Sequence, residues 1–224
     1  MTGPVLAAAA SIHPVRRRLT PTRLPDRLSG ISSRSHVALT FDDGPDRTST
    51  PQFLDLLARH DVRATFFVLG RDAVEAPDLL RRMVAEGHEL AVHGWTHRCA
   101  ALVGPTVLRQ QLRLTKDVVE DLTESRVRWY RPPYGVLPPY AQRVAADAGL
   151  ETVLWSAWGR DWERRAAPHS VVRTVRRDLR PGGTVLLHDT DRTSASDSWR
   201  VTLAAADLLL RHQPAPFGTL AEHW

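Results

Sequence analysis

From His36 onward, short apolar runs alternate with amphipathic stretches of helical period, and this alternation constrains the fold more than any other feature of the chain. VALTF (37–41), RATFFVLG (63–70), HELAVH (88–93), VRWYR (127–131), ETVLWSAW (151–158) and GTVLLHD (183–189) read as strands. Helices are expected from Thr50 as N-cap, with Pro51 at the first position, to about His60, and over 77–87, 106–122, 138–149, 168–180 and 199–212. Near-continuous apolar strands separated by helices argue for a parallel sheet covered by helices. An open doubly wound sheet would carry a phosphate loop, and neither GxGxxG nor GxxxxGK[ST] occurs. The expected fold is α/β, a distorted and incomplete (β/α)7 barrel, because 224 residues fall short of the roughly 250 typical of eight strand-helix units.

The chain is 42% hydrophobic, enough for one sizeable core. Residues 1–35, rich in Pro, Arg and Ser, read as an N-terminal arm or tail, which leaves 36–224 as the domain. The net charge of +5 comes almost wholly from arginine, with Lys116 the single lysine, and no basic run is interleaved with aromatics, which argues against a nucleic-acid partner. Cys99 is the only cysteine, so an internal disulfide is excluded. Near the N-terminus the apolar stretch precedes its arginines, the reverse of a secretory signal, and Arg16–Arg18 lack the apolar stretch that a twin-arginine signal needs. No apolar run is long enough for a transmembrane segment. As given, the chain reads as cytoplasmic, or as cell-envelope if it is the mature part of an exported protein. Its oligomeric state is left open.

The polar residues that resist a packing explanation follow the strands. Asp42 and Asp43 follow VALTF, His93 and His97 follow HELAV, Arg131 follows VRWY, Asp161 lies just past ETVLWSAW, and His188 and Asp189 follow TVLL. In an α/β barrel the strand C-termini open on one face, so these segments can meet at one site. Two adjacent carboxylates raise each other's pKa and need a cation, a donor or a catalytic task to offset the repulsion. In HGWTH (93–97), two histidines four apart can present nitrogens to one point if the segment makes a helical turn, and with one carboxylate they form a two-His, one-carboxylate metal set. The second aspartate could then act as a base on water acidified by the cation. The plainer reading makes DDGP an Asp-rich turn and the histidines ordinary loop residues.

Taken in order, TFDDGP (40–45), HGWTH (93–97), YRPPYG (130–135), GRDW (159–162) and VLLHD (185–189) resemble the five motifs of the polysaccharide deacetylases of the NodB-homology type, carbohydrate esterase family 4. That resemblance implies a metal-dependent hydrolase that removes an acetyl group from an N-acetylated amino sugar in a glycan or glycoconjugate, by attack of a metal-bound water. By the same resemblance Asp42 is the base, Asp43, His93 and His97 are the metal ligands, and His188 is the general acid. Arg131 orients the base and Asp161 tunes His188. The backbone N–H of Tyr134 assists the oxyanion, while Trp162 and Leu186 line the acetyl pocket. The implied cofactor is one divalent ion, Zn2+ foremost, with Co2+, Ni2+ or Fe2+ as alternatives, and the implied partner is an acetylated carbohydrate.

Two departures from the family pattern stand out. Gly94 replaces the usual Ser or Thr after the first histidine, and Trp158 replaces the first aspartate of the fourth motif, which predicts a more apolar groove around Trp155 and Trp158. Two other functions remain open from the residues: a non-haem Fe(II) oxygenase using the same ligand set, and a carbohydrate-binding protein without turnover. The alternating strands and helices oppose the first, and retention of Asp42, Asp43, both histidines and His188 opposes the second. Trp129, Trp199 and Trp224 read as packing residues, Cys99 as a small buried thiol, His88 as structural, His169 as a helix-start residue and Asp189 as a partner behind the site.

Overall fold

Eight strands in the computed structural model, which describes residues 24–212 and 216–224, pair in parallel: β1 (Val37–Asp42), β2 (Thr65–Val68), β3 (Glu89–Val92), β4 (Trp129–Tyr130), β5 (Glu151–Thr152), β6 (Ala157–Trp158), β7 (Thr184–His188) and β8 (Phe217–Gly218). The order across the sheet is β5-β4-β3-β2-β1-β7-β6, with β8 pairing the start of β1. The outermost strands of that path, β5 and β6, are joined only by residues 153–156. An extended connection of that length reaches roughly 17 Å at about 3.4 Å per residue. A flat seven-strand path would hold its edges about 29 Å apart at roughly 4.8 Å per strand. The sheet must therefore curl, and the expected incomplete barrel is the result. ETVLWSAW, expected as one strand, is two short strands at opposite edges, with Leu154 N–H bonded to Leu28 C=O (2.8 Å) in the gap between them.

Because the sheet curls, its two faces bury different things. Val37, Leu39, Phe41, Phe66, Val68, Leu90, Val92, Tyr130, Val185 and Leu187 pack outward under the helices. The alternate positions Ala38, Phe67, Ala91 and Trp129 form a separate inner cluster with Val153 and Leu220. This period of two explains why the strands read as continuous apolar runs. On the outer face the Phe41 ring stacks on Phe66 (5.3 Å) and meets Phe53 edge-on (5.2 Å), so truncating any of the three to Ala is expected to cost about 3–5 kcal/mol.

The covering helices are α1 (Thr50–Arg59), α2 (Gly70–Glu75), α3 (Pro77–Ala85), α4 (Ala100–Thr123), α5 (Ala141–Asp147), α6 (Pro168–Asp178) and α7 (Ser198–His212). In α1 the N-cap is Ser49 and not Thr50. The Thr50 hydroxyl is drawn off to Asp189 (2.5 Å) and accepts the Asp46 N–H (2.8 Å), so a tertiary contact overrides its capping role. The start of α4 is interrupted at Gly104 (φ 73°), and the regular helix follows Pro105, close to the expected 106–122. The short elements α2, β8 and the 3-10 turn 221–223 carry too few residues to show a period. Of the arm expected over 1–35, residues 1–23 lie outside the described residues. Ile31, Ser32 and their neighbours lie along the sheet, where Gly30 C=O accepts the Thr184 hydroxyl and Ser32 N–H donates to Gly182 C=O. Among the described residues no helix is long and apolar enough to cross a membrane.

Candidate active site

The inward register delivers most of the site. Continuing the inner rows past Ala38, Ala91, Trp129 and Thr184 brings Thr40 and Asp42, His93, Arg131, and Leu186 and His188 to the same end of the barrel. Asp42 pairs in register with both Phe67 and His188, which places the first aspartate beside the histidine that ends β7. Strand alternation alone would turn Asp43 outward. Its backbone leaves the strand in the left-handed region (φ 80°), a conformation Asp tolerates, and both aspartates line one cavity.

His93 and His97 meet at Asp43 without the helical turn expected of HGWTH. The segment is a bend that starts at Gly94 (φ 107°), where a residue with a side chain would be strained. Oδ1 of Asp43 lies 3.2 Å from Nε2 of His93 and 3.2 Å from Nε2 of His97. The His93 Nδ1 donates to Arg131 C=O at 2.9 Å, since a carbonyl only accepts, which leaves Nε2 as the nitrogen available to a cation. Burial pushes the His97 imidazolium down to about 4 despite Asp43, so this ring is neutral. Burial works against the Asp43 carboxylate, and only positive charge beside it, on His97, His93 or His188, brings its pKa below the usual carboxylate range. Oδ1 of Asp43 makes no hydrogen bond. Three basic atoms thus converge with nothing to answer them. Two imidazole nitrogens and one carboxylate oxygen suit a divalent cation of the Zn2+, Co2+, Ni2+ or Fe2+ type, and the His93–Arg131 bond is the outer contact that fixes such a ligand's tautomer. Cys99 is not part of this group.

Asp42 is held differently. Arg131 Nη1 donates to Asp42 Oδ1 and to Thr40 Oγ1, both at 2.7 Å, and Nη2 donates to Leu154 C=O at 2.8 Å. The guanidinium is fully buried, packed on the Phe67 ring at 3.9 Å. The fork therefore fixes one oxygen of Asp42 and leaves Oδ2 turned toward His93, 3.8 Å from its Nε2.

Asp161 sits behind His188. Its Oδ2 accepts the His188 backbone N–H (2.8 Å) and the Thr202 hydroxyl (2.9 Å), and its Oδ1 lies 3.1 Å from His188 Nδ1. Burial alone would depress the imidazolium, but Asp161, with Asp43 and Asp42 farther off, raises the His188 pKa to about 10. Tyr134, itself left-handed (φ 62°), sets its ring against His97, while Trp162 meets the His188 ring edge-on at 5.4 Å. Trp155, Trp158 and Trp162 form a continuous aromatic wall of the cavity with Leu186, the apolar groove that Trp158 implied.

The structure thus brings together all ten residues singled out as candidates. Sequence reasoning missed Thr40, Thr202, Thr193 and Ser194. Thr40 stands two residues before Asp42 on the same face and was accessible from strand alternation. Thr193 and Ser194 belong to the Asp, Ser and Thr-rich segment 189–198, whose composition signals only a loop.

A curled parallel sheet with a carboxylate-imidazole donor set and a second, separately held carboxylate at its strand C-termini defines a class, the α/β barrel proteins with a candidate metal centre on the catalytic face. Within that class, the chain belongs to the polysaccharide deacetylase family, whose model matches residues 29–153. It is 45% identical over 162 residues to a chitooligosaccharide deacetylase of Sinorhizobium fredii, covering 72% of this chain and 74% of the relative. The crystal structure of the Bc1960 peptidoglycan N-acetylglucosamine deacetylase superposes with a TM-score of 0.80 at 30% identity, over 88% of this chain and 91% of that one. The structure of BA3943 of Bacillus anthracis, described as a pseudoenzyme of the same CE4 family, superposes at 0.76 with 29% identity, over 86% and 66%.

Proposed function

We propose that this protein is a metal-dependent deacetylase that hydrolyses the N-acetyl group of an amino sugar in an oligosaccharide or glycan. The observation that carries this reading is the presence, in one cavity, of a converging Asp43–His93–His97 donor set together with a braced carboxylate, Asp42, and an acid-competent imidazole, His188. Bound by Asp43, His93 and His97, a divalent cation supplies Lewis acidity, which makes water acidic and offsets charge on the acetyl oxygen. Asp42, held in place by Arg131, takes a proton from the attacking water. The water oxygen bonds to the acetyl carbon, and the Tyr134 N–H donates to the acetyl oxygen as charge builds there. His188, kept protonated by Asp161, delivers its proton to the amide nitrogen as the C–N bond breaks, giving acetate and a free amine. Trp162 and Leu186 flank the methyl group and exclude bulk water.

The similar proteins are deacetylases of chitooligosaccharides and of peptidoglycan N-acetylglucosamine, which supports a substrate that contains N-acetylglucosamine. The test is acetate release from N-acetylated chitooligosaccharides, peptidoglycan fragments and O-acetylated sugars, using chelator-stripped protein with and without zinc, cobalt, nickel or iron. Release from the amides that depends on added metal is the expected result. Metal and saccharide binding with no acetate from any substrate would overturn turnover and favour the binding-only reading that the similarity to a pseudoenzyme keeps in view.

A further inference from the structure

The loop after β7 reaches back over the donor set. Thr193 donates its hydroxyl to Oδ2 of Asp43, the oxygen that does not face the two histidines. The two oxygens of this carboxylate are therefore differentiated: Oδ2 is occupied by a protein donor, and Oδ1 alone is left to the converging imidazoles. Thr193 does not arrive there by chance of loop packing. Its neighbour Arg192 donates from Nη1 to Asp72 on α2 and from Nε to Asp46 Oδ2 (3.1 Å), the residue that organises the turn after DDGP through Thr48 N–H (2.8 Å) and Ser49 N–H (3.0 Å). On the other side, Ala195 N–H donates to Trp162 C=O (3.2 Å), and the loop closes on itself through Ser194 N–H to Asp191 C=O (3.0 Å). The loop is thus tied to the β1–α1 turn, to α2 and to the Trp162 segment, with Thr193 at the crossing point.

We infer that Thr193, carried on a loop clamped by Arg192, is a positioning residue that holds Asp43 as a one-oxygen ligand with Oδ1 aimed at the cation. This rests on the metal-dependent reading above. A carboxylate free to rotate spreads its charge between one-oxygen and two-oxygen modes. A hydroxyl on Oδ2 removes that freedom before the cation arrives. Outer contacts of this kind are worth about ten- to a hundredfold in metal affinity. Thr193 is partly exposed and lies in a loop, so removing its hydroxyl leaves the core intact.

The test is zinc titration calorimetry on the chelator-stripped full chain, with the melting temperature of each metal-free protein measured alongside. Thr193→Val should weaken zinc binding by about ten- to a hundredfold with an unchanged metal-free melting temperature, and Thr193→Ser should restore wild-type affinity. Arg192→Gln, which unclamps the loop, should weaken binding in the same direction. Equal affinity of Thr193→Val and wild type, or failure of Thr193→Ser to recover it, would overturn the inference and leave the deacetylase reading standing. A large drop in the metal-free melting temperature of Thr193→Val would overturn it too, by making the residue structural. Absence of wild-type binding to zinc, cobalt, nickel and iron alike would overturn both readings.

Discussion

Strand β3 carries an ionisable group near each of its ends, a half-buried glutamate and a buried histidine, and the two are held in opposite ways. At its start, Glu89 is fully answered: Oε2 accepts from the Thr65 hydroxyl (2.7 Å) and Ala221 N–H (3.1 Å), and Oε1 accepts from Trp129 Nε1 (2.7 Å). Just past its other end, His93 spends Nδ1 on a carbonyl and points a bare Nε2 at a carboxylate oxygen that also lacks a donor. Burial raises the Glu89 pKa, and it works against the Asp43 carboxylate too, which needs positive charge beside it to stay ionised. Polar burial therefore does not itself mark the site. What marks it is a set of acceptors that face one another, an arrangement that costs stability unless something positive lies between them.

The comparison breaks most visibly at Asp43. Asp43→Ala should abolish stoichiometric metal binding and lower deacetylation by roughly a thousandfold or more, since Lewis-acid stabilisation is worth several kcal/mol and each factor of ten is about 1.4. Elemental analysis of the purified variant checks it, and an unchanged metal content would sink the ligand assignment. Asp42→Asn should keep the cation and lose about a hundred- to ten-thousandfold in kcat, the range of a general base. Activity near wild type in that variant would remove Asp42 from the chemistry.

Asp161→Asn should act through pH. With His188 raised to about 10, the protonated form prevails at neutral pH and activity falls on the alkaline side as the proton is lost. Without the Asp161 carboxylate, burial prevails and the alkaline limb of kcat should move down by about one unit or more. Stability follows the same sign. A histidine whose folded pKa lies above its ordinary 6.5 contributes fully below that pH and loses its contribution as pH rises from 6.5 through about 10. The stability gap between wild type and Asp161→Asn should therefore close over that window, and parallel denaturation curves across it would count against the pairing.

Much of this was legible in the residues. The strand and helix alternation foretold the parallel sheet, and the polar groups just past each apolar run foretold the site, because a parallel barrel gathers strand ends by construction. ETVLWSAW was misread as one strand, since a mostly apolar run of eight residues looks alike whether it pairs at one edge or crosses from β5 to β6, and only the curl of the sheet tells the two apart. Thr50 was misread as a cap because its hydroxyl bonds to Asp189, a residue 139 positions away. HGWTH was expected to need a helical turn, and the left-handed Gly94 brings the two rings together by another route. Thr193 was beyond reach, since nothing in DRTSAS distinguishes a ligand's brace from a polar loop.

The smallest expected effect falls at the answered end of β3. Glu89→Gln keeps the shape of the side chain but turns one acceptor into a donor, which must then face the Thr65 hydroxyl and Ala221 N–H or the Trp129 indole N–H. One or two of these hydrogen bonds to a charged group are lost, at about 1–3 kcal/mol of unfolding free energy. Zinc affinity and kcat should not change, because the loss is confined to the opposite end of the barrel from Asp43. Chemical denaturation and acetate release on the same preparation separate the two quantities. A fall in kcat comparable to that of Asp161→Asn would mean that strain at the start of β3 reaches His93 through its four residues, and the two ends could no longer be treated as independent.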